Sequence, residues 1–77
     1  MRYKLLDTVV LTRDLPQYGL RHGDLGAVVQ LCGSAGLEVE FVTASGKTQA
    51  LVTLTDDDVR SVVDSDLISV RSVAGGA

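Results

Sequence analysis

Apolar and polar residues alternate over much of the chain, and a period of two is typical of strands that bury one face. The clearest example is LEVEFV at residues 37–42, in which Leu, Val and Phe alternate with two glutamates. The turn-forming run TASG follows at residues 43–46, and residues 47–54 are rich in Thr, Val and Leu. These three segments therefore predict a β-hairpin.

The register of this hairpin follows from the need to keep its apolar face continuous. We expect Val39 to lie opposite Ala50. Two residues away, Leu37 would then lie opposite Val52. A slip by one residue would place valine against glutamate, so the pattern favours this pairing.

Three other segments have strand character, at residues 7–13, 25–31 and 67–71. In the first of them, Val9 and Leu11 share one face, and Val10 lies on the other face with two threonines. Strongly β-branched, alternating sequence of this kind favours strands over helices. With the hairpin, the chain therefore has five predicted strands.

Residues 55–63, between the fourth and fifth predicted strands, carry signals for a short helix. Thr55 can cap the N-terminus of a helix, and the three aspartates that follow favour its positive end. Val59, Val62 and Val63 then recur at helical spacing. We expect one or two helical turns at this point.

Five short antiparallel strands with a helical turn before the last describe an all-β fold. Sheets of this size curl to hide their edges, so we expect a small five-stranded SH3-like barrel with one short 3-10 or α-helical turn before the last strand. An OB-like barrel is the competing fold, but it usually has a longer chain and a larger helix. The barrel would take up residues 1–73 as a single domain, and residues 74–77 would form a flexible tail.

The charge of the chain narrows the classes of partner. Its 77 residues include 7 Lys and Arg against 10 Asp and Glu, which gives a net charge of −3. A negative field repels polyphosphates and acidic membrane surfaces, so nucleic acid is a disfavoured partner. No apolar run approaches the roughly 20 residues that cross a bilayer, so we expect no membrane segment.

Cysteine usage and the N-terminal sequence together suggest a compartment. Cys32 is the only cysteine, so it has no internal disulfide partner, and a reducing environment suits it. Asp7 occurs before any apolar stretch that is long enough for the hydrophobic region of a signal peptide. We therefore expect a cytoplasmic protein.

Four motifs occur in a fixed order along the chain: VVLT at 9–12, LPQYGL at 15–20, GDLGAVV at 23–29 and VEFV at 39–42. This series of strand, loop, turn and strand resembles a family of short bacterial proteins known only as a domain of unknown function. The likeness extends over roughly residues 5–62. It implies an SH3-like fold, and it implies no activity, because the family has none established.

The run GDLG at residues 23–26 also has a structural interpretation of its own. Gly23 and Gly26 permit a positive φ or a close backbone approach where a strand begins. The carboxylate of Asp24 can accept hydrogen bonds from backbone N–H groups of the turn. A phosphate-binding loop would need a following helix and a lysine, whereas strand-like residues follow here.

Residues that carry enzyme chemistry are few. Asp56, Asp57 and Asp58 are adjacent and diverge by about 100° each on a helical turn, so they suit a helix start better than a metal site. His22 and Cys32 are the only residues of their types, and no nucleophile, base and orienting group are recognisable together. We expect no catalytic residue, no cofactor and no metal.

The long first loop, residues 14–24, is the best candidate for a contact surface, because it mixes apolar anchors with cations. The candidate partner-binding residues are Arg13, Gln17, Tyr18, Arg21 and His22. The alternative is that Leu15, Pro16 and Leu20 fold back to plug one end of the barrel. In that case only the tyrosine and the cations remain exposed.

These observations fit a small protein-interaction module without catalytic activity. Its protein partner is unidentified, and a protein encoded nearby is one candidate. A homodimer is also expected, because pairing through an edge strand or through the Tyr18 loop would protect a small barrel with open edges. The alternative is a module that contacts RNA or a ribonucleoprotein, for which the cations are widely scattered.

Overall fold

The computed structural model describes residues 2–73, and its five strands form one antiparallel sheet. The strands are β1 (Thr8–Leu11), β2 (Leu25–Cys32), β3 (Gly36–Val42), β4 (Thr48–Thr55) and β5 (Val59–Ser61). They lie side by side in the order β4-β3-β2-β1-β5. A 3-10 turn, Asp56–Asp58, immediately precedes β5. The predicted all-β fold, with five strands and a helical turn before the last, is confirmed.

Beyond β5 the chain continues without regular secondary structure as residues 62–73, which we call the C-terminal segment. The predicted flexible tail, residues 74–77, lies outside the described residues. Among residues 2–73, no helix has the length and the apolar character needed to cross a bilayer.

One apolar core lies against the inner face of the sheet. Val9 of β1, Val39 of β3 and Val52 of β4 are all buried, and so is Val59 of β5. Because β4 and β5 are the two edges of the sheet and both contribute to the same core, the sheet must curl around it. The core cluster consists of Tyr3, Val9, Leu11, Leu15, Leu20, Val28, Leu37, Val39, Phe41, Val52, Leu54 and Val59.

Gly26 lies where the backbone of β2 comes closest to side chains of β3. A Cβ atom at this position would lie 2.6 Å from Val39 Cγ1 and 2.8 Å from Phe41 Cε2. Only glycine fits without movement of the core, so the predicted close approach is confirmed. The Phe41 ring can therefore pack directly against the backbone of β2.

The register of the β3–β4 hairpin differs from the predicted one. Val39 pairs with Val52 rather than with Ala50, and Leu37 pairs with Leu54 rather than with Val52. A bulge near the end of β3 interrupts the pairing and lengthens the turn. Because the register from Leu37 to Phe41 shifts by two residues, the side chains paired there keep their predicted faces even though their predicted partners are wrong.

The helix predicted over residues 55–63 is a single 3-10 turn, which ends at Asp58. The Asp58 carboxylate accepts hydrogen bonds from the backbone N–H of Thr55 at 2.9 Å and from its hydroxyl at 3.2 Å. The bond from the Thr55 N–H is the half of a capping box that the Asp58 side chain supplies. Val59 follows in an extended conformation, with φ −137° and ψ 163°, and its side chain reaches the core.

The prediction that residues 67–71 form the fifth strand is wrong, since β5 begins directly after the 3-10 turn. β5 pairs with β1, and Val59 lies opposite Leu11. The backbone N–H of Thr12 also donates to the carbonyl oxygen of Asp58 at 2.9 Å. The turn thus brings β5 to the free edge of β1. Residues 67–71 therefore have no free edge of β1 to pair with.

Replacing Gly26 tests the close approach of β2 to the core. We expect Gly26→Ala to lower the free energy of unfolding by about 1–3 kcal/mol, because the added methyl group overpacks Val39 and Phe41. Urea unfolding followed by circular dichroism measures this change.

Gly33→Asn is the matched control for this substitution. Gly33 has φ 67° and no atom within 4 Å of an added Cβ, and asparagine tolerates the left-handed region. We expect its free energy of unfolding to stay within about 0.5 kcal/mol of the wild-type value. Equal losses in the two variants would contradict the role given to Gly26.

Candidate functional site

The first long loop divides into side chains that enter the core and side chains that stay outside. Leu15 and Leu20 are 1% and 3% exposed and belong to the core cluster. Each donates its backbone N–H to the carbonyl oxygen of the other, at 3.0 and 3.1 Å. The alternative arrangement, in which this loop folds back onto the core, is therefore observed for Leu15 and Leu20. Pro16 is exposed instead, because it begins a 3-10 turn, Pro16–Tyr18, between the two leucines.

Hydrogen bonds hold the outer part of this loop in one conformation. The N–H of Tyr18 donates to the carbonyl of Leu15, and the N–H of Gly19 donates to that of Pro16, both at 3.0 Å. From β4, the side-chain amide of Gln49 donates to the carbonyl oxygen of Tyr18 at 3.2 Å. The loop is therefore fixed both to itself and to the sheet.

Four of the five candidate partner-binding residues lie together on this loop. This loop surface consists of Gln17, Tyr18, Arg21 and His22, and all four are exposed. The N–H of His22 donates to Asp14 Oδ1 at 2.8 Å, which fixes the backbone beneath the imidazole. The N–H of Arg21 donates to Asp24 Oδ2, also at 2.8 Å. This last bond is the turn contact predicted for Asp24.

Arg13, the fifth candidate residue, is committed to a different part of the fold. Its Nε donates to Asp58 Oδ1 at 2.8 Å. Partial burial raises the pKa of Asp58, but hydrogen bonds from Thr55 and Arg13 outweigh this effect, and the pKa lies below its ordinary value. Arg13 therefore stabilises the turn before β5, and its charge is already balanced.

The side chains considered for chemistry remain apart. Within residues 2–73, no group of three or more His, Cys, Asp or Glu side chains is placed to hold a metal ion. Cys32 is a half-buried free thiol at the end of β2. His22 is exposed in the first loop, and neither side chain forms a hydrogen bond with another described residue.

Arg71 of the C-terminal segment binds the turn that follows the loop surface. Its Nε donates to Asp24 Oδ1 at 2.9 Å, and its Nη2 donates to Asp24 Oδ2 and, at 3.0 Å, to the carbonyl of Gly19. Partial burial raises the pKa of Asp24, but hydrogen bonds from Arg71 and from the N–H of Arg21 lower it by more. No local sequence pattern links Arg71 to a turn so far away in the chain, so this contact is not predictable from the sequence.

A small cleft of about 290 Å³ opens beside the loop surface. Its lining residues are Asp14, Pro16, Gly19, Leu20, Arg21 and Arg71. Arg71 is balanced by Asp24, and Asp14 faces the same cleft as Arg21, so charges of both signs border it. A polar side chain of a protein suits such a cleft better than a polyanion.

A larger groove of about 1070 Å³ lies between the C-terminal segment and the outer face of the sheet. Val10 and Val42 line it from the sheet, and Leu67 and Ile68 line it from the segment. Val10 is only 4% exposed, although it was predicted for the outer face, so neighbouring residues cover that position. Val42, Leu67 and Ile68 remain exposed to solvent.

Comparison with known proteins identifies a family but no activity. A family model described as Domain of unknown function (DUF4926) matches residues 5–61. No curated protein and no solved structure matches the chain. The predicted membership of a family known only as a domain of unknown function is thus confirmed. The matched region contains the whole sheet and the loop surface, and it ends with β5, before the C-terminal segment.

Removing the Asp24 carboxylate tests its contribution to stability. We expect Asp24→Asn to lower the free energy of unfolding at pH 7 by about 1–3 kcal/mol, because Arg71 and the N–H of Arg21 lose a charged acceptor. A depressed pKa in the folded state means that this stability is present above the unfolded-state pKa and is lost as pH falls through the folded-state pKa. The difference from wild type should therefore shrink below about pH 4.

Urea unfolding of both proteins at several pH values measures this difference. Asp64→Asn is the control, because Asp64 is exposed and forms no ion pair within the described part of the chain. A loss for Asp24→Asn that stays constant down to about pH 2 would show that the carboxylate charge is not responsible.

Proposed function

The chain belongs to the family described as Domain of unknown function (DUF4926), and from this starting point we propose that it is a protein-interaction module without catalytic activity. Its contact surface is the loop surface, together with the small cleft beside it. The observation that carries the proposal is the division of the first loop, in which the leucines are buried and the polar and aromatic side chains are exposed. Such a loop on a rigid sheet is a common form of binding site.

The loop surface is already organised for binding. Its backbone is fixed by internal hydrogen bonds and by Gln49, so little conformational entropy is lost when a partner binds. Tyr18 is 40% exposed, and Arg21 is exposed beside the cleft. Tyrosine and arginine, with tryptophan, are enriched at the energetic centre of protein interfaces. We therefore assign most of the binding energy to Tyr18 and Arg21.

The partner that fits this surface is a protein with carboxylate and polar groups at its contact. Arg21 forms no ion pair with another of residues 2–73, so its charge is open to a partner carboxylate. The mixed charges around the cleft favour hydrogen bonding with a neutral or singly charged side chain. A protein encoded beside this one is the first candidate to examine.

Local ion pairing weighs against the alternative of an RNA-contacting module. The chain has seven Lys and Arg residues. Four of them are paired with carboxylates, as Lys4–Asp7, Arg13–Asp58, Arg60–Asp66 and Arg71–Asp24. Affinity for RNA depends on cations that neutralise phosphates, and few remain here on a chain of net negative charge.

The fold type and the cellular setting belong to the same proposal. The strand order β4-β3-β2-β1-β5, with a 3-10 turn before β5, supports an SH3-like barrel. A free thiol at Cys32 supports a reducing cytoplasm. The sequence motifs occur in the same order as in a family of short bacterial proteins, and this resemblance supports a bacterial origin.

Co-purification with the product of the neighbouring gene tests the loop surface. We expect the double variant Tyr18→Ala, Arg21→Ala to bind this partner at least about tenfold more weakly, because two hot-spot side chains are lost. Isothermal titration of the purified pair measures the dissociation constant.

The control for this experiment is Leu6→Ala with Leu51→Ala. Both leucines are exposed, at 79% and 54%, and both lie outside the loop surface. This control should bind like the wild type. Wild-type affinity in the loop variant, or weaker binding only in the control, would contradict the proposed site and would favour the outer face of the sheet.

The RNA alternative has its own measurement. We expect fluorescence anisotropy with mixed-sequence RNA to show no affinity that decreases as salt rises, because four of the cations are already paired. Salt-sensitive micromolar binding would support the alternative function instead.

A further inference from the structure

The guanidinium group of Arg71 lies in a site made of two acceptor groups from the first loop and the turn after it. Asp24 accepts with both carboxylate oxygens, from Nε at 2.9 Å and from Nη2, and the carbonyl of Gly19 accepts from Nη2 at 3.0 Å. We call these two acceptor groups the guanidinium site. The side chains of Asp24 and Arg71 are only 20% and 27% exposed. A carboxylate that binds both arms of a planar fork selects arginine over lysine.

The guanidinium site is held in place by the domain and not by its occupant. The N–H of Arg21 donates to Asp24 Oδ2 at 2.8 Å, and the N–H of Asp24 donates to the carbonyl of Arg21 at 3.0 Å. The carbonyl of Asp24 accepts from the N–H of Leu11 in β1 at 2.9 Å. The N–H of Gly19 is bonded within the first loop, as described above. All of these residues belong to the matched family region, residues 5–61, so the site is a preformed part of the domain.

The segment that carries Arg71 is loosely attached by comparison. We call residues 67–73 the strap. None of its backbone N–H or carbonyl groups forms a hydrogen bond with another described residue, and Arg71 makes all of its hydrogen bonds to the described part of the domain. Five of its seven residues are exposed, and only Arg71 and Val73 are half-buried. The strap also lies beyond the end of the matched family region, at residue 61. One side chain therefore provides most of its attachment.

We propose that the guanidinium site binds an arginine side chain of a partner protein, and that Arg71 occupies the site in the free protein as an autoinhibitory contact. The partner's arginine and Arg71 compete for the same acceptors, so binding of the partner releases the strap. The proposal rests on the proposed function, since Gly19 and Arg71 line the small cleft beside the loop surface. Arg21 lines the same cleft and suits a carboxylate. The partner that fits both groups presents an arginine beside a carboxylate.

An arginine of a different protein fits the site better than Arg71 of a second copy. An exchange between two copies would replace each contact with an identical one, while the two chains lose translational freedom. The chain's own Arg71 also competes at a high effective concentration, because a short run of residues connects it to Asp66, which is bound by Arg60. A successful competitor must bring additional contacts, and Tyr18 and Arg21 of the loop surface can supply them.

Titration of the full chain with N-acetyl-arginine amide tests the guanidinium site, with the chemical shifts of amides 19–24 as the readout. We expect Arg71→Gln to bind this probe with a dissociation constant at least about fivefold lower than that of the wild type. The reason is that a site open for about one fifth of the time has its apparent dissociation constant raised fivefold. N-acetyl-lysine amide should bind the same variant at least about threefold more weakly, because an ammonium group lacks the planar fork.

Arg60→Gln is the matched control for this titration. It removes the same charge and breaks the other ion pair of the C-terminal segment, but it leaves Arg71 in the guanidinium site. Its affinity for the arginine probe should stay within about twofold of the wild-type value. The double variant Arg71→Gln, Asp24→Asn should lose saturable binding while the amide signals of β2 and β3 keep their dispersion. Equal affinity in the wild type and in Arg71→Gln, an equal gain in Arg60→Gln, or equal binding of the two probes would overturn the proposal.

Backbone dynamics test the release of the strap. The heteronuclear NOE of an amide reports its motion on the picosecond to nanosecond timescale. We expect the NOE values of the strap amides to fall in Arg71→Gln toward those of an unfolded chain, whereas the values in β2 and β3 should not change. Strap amides that keep their wild-type values in this variant, or that already have unfolded-chain values in the wild type, would contradict the autoinhibitory contact.

The co-purified partner separates this proposal from the proposed function. Arg71→Gln should bind the partner at least about threefold more tightly than the wild type does, because no internal competitor remains. A partner that loses affinity for the double variant Tyr18→Ala, Arg21→Ala but binds Arg71→Gln like the wild type would overturn the guanidinium site and support the loop surface. Sedimentation equilibrium tests the second copy as occupant. A wild-type dimer that dissociates in Arg71→Gln would assign the site to a second copy and would overturn the proposal.

Discussion

Burial of Leu15 and Leu20 completes the core on which the rest of this domain depends. β1 has four residues and β5 has three, so the strands at one side of the sheet are too short to cover the apolar face alone. The two leucines, 1% and 3% exposed, supply the missing apolar surface and are joined by reciprocal backbone hydrogen bonds. A domain of this size has little core relative to its surface, so each such residue contributes a large share of its stability.

The same packing determines what the protein presents to its surroundings. With the leucines inside, the 3-10 turn between them must point outward, and it carries Tyr18 with it. Asp24 closes the loop through the N–H of Arg21 and is itself bound by Arg71, so the C-terminal segment is joined to the loop by one ion pair. The loop surface and the C-terminal segment are thus separate surfaces that are both attached to Asp24. Among residues 2–73, no group of three or more His, Cys, Asp or Glu side chains is placed to hold a metal ion.

Local sequence patterns predicted the positions of the secondary-structure elements better than they predicted which residues pair between them. The alternation of Leu37, Val39 and Phe41 located β3 and its buried face, but it could not distinguish registers that differ by two residues, since both keep the same face inward. The spacing of the valines also predicted a helix at Val59, where β5 begins. The capping signals before it are compatible with either a helix or a tight turn, so they could not correct this prediction. Long-range contacts leave no local signal, so the bond from Tyr3 Oη to the carbonyl of Val59 was not foreseen.

Native-state hydrogen exchange at the amides of Leu15 and Leu20 tests the central claim most directly. If the loop is part of the core, these two amides should exchange only on global unfolding, with the same protection as amides in the middle of β2 and β3. Adding low concentrations of urea should then accelerate exchange at all of these positions equally. Exchange of the loop amides at the rate of an exposed loop, while β2 and β3 remain protected, would show that the first loop is peripheral to the fold.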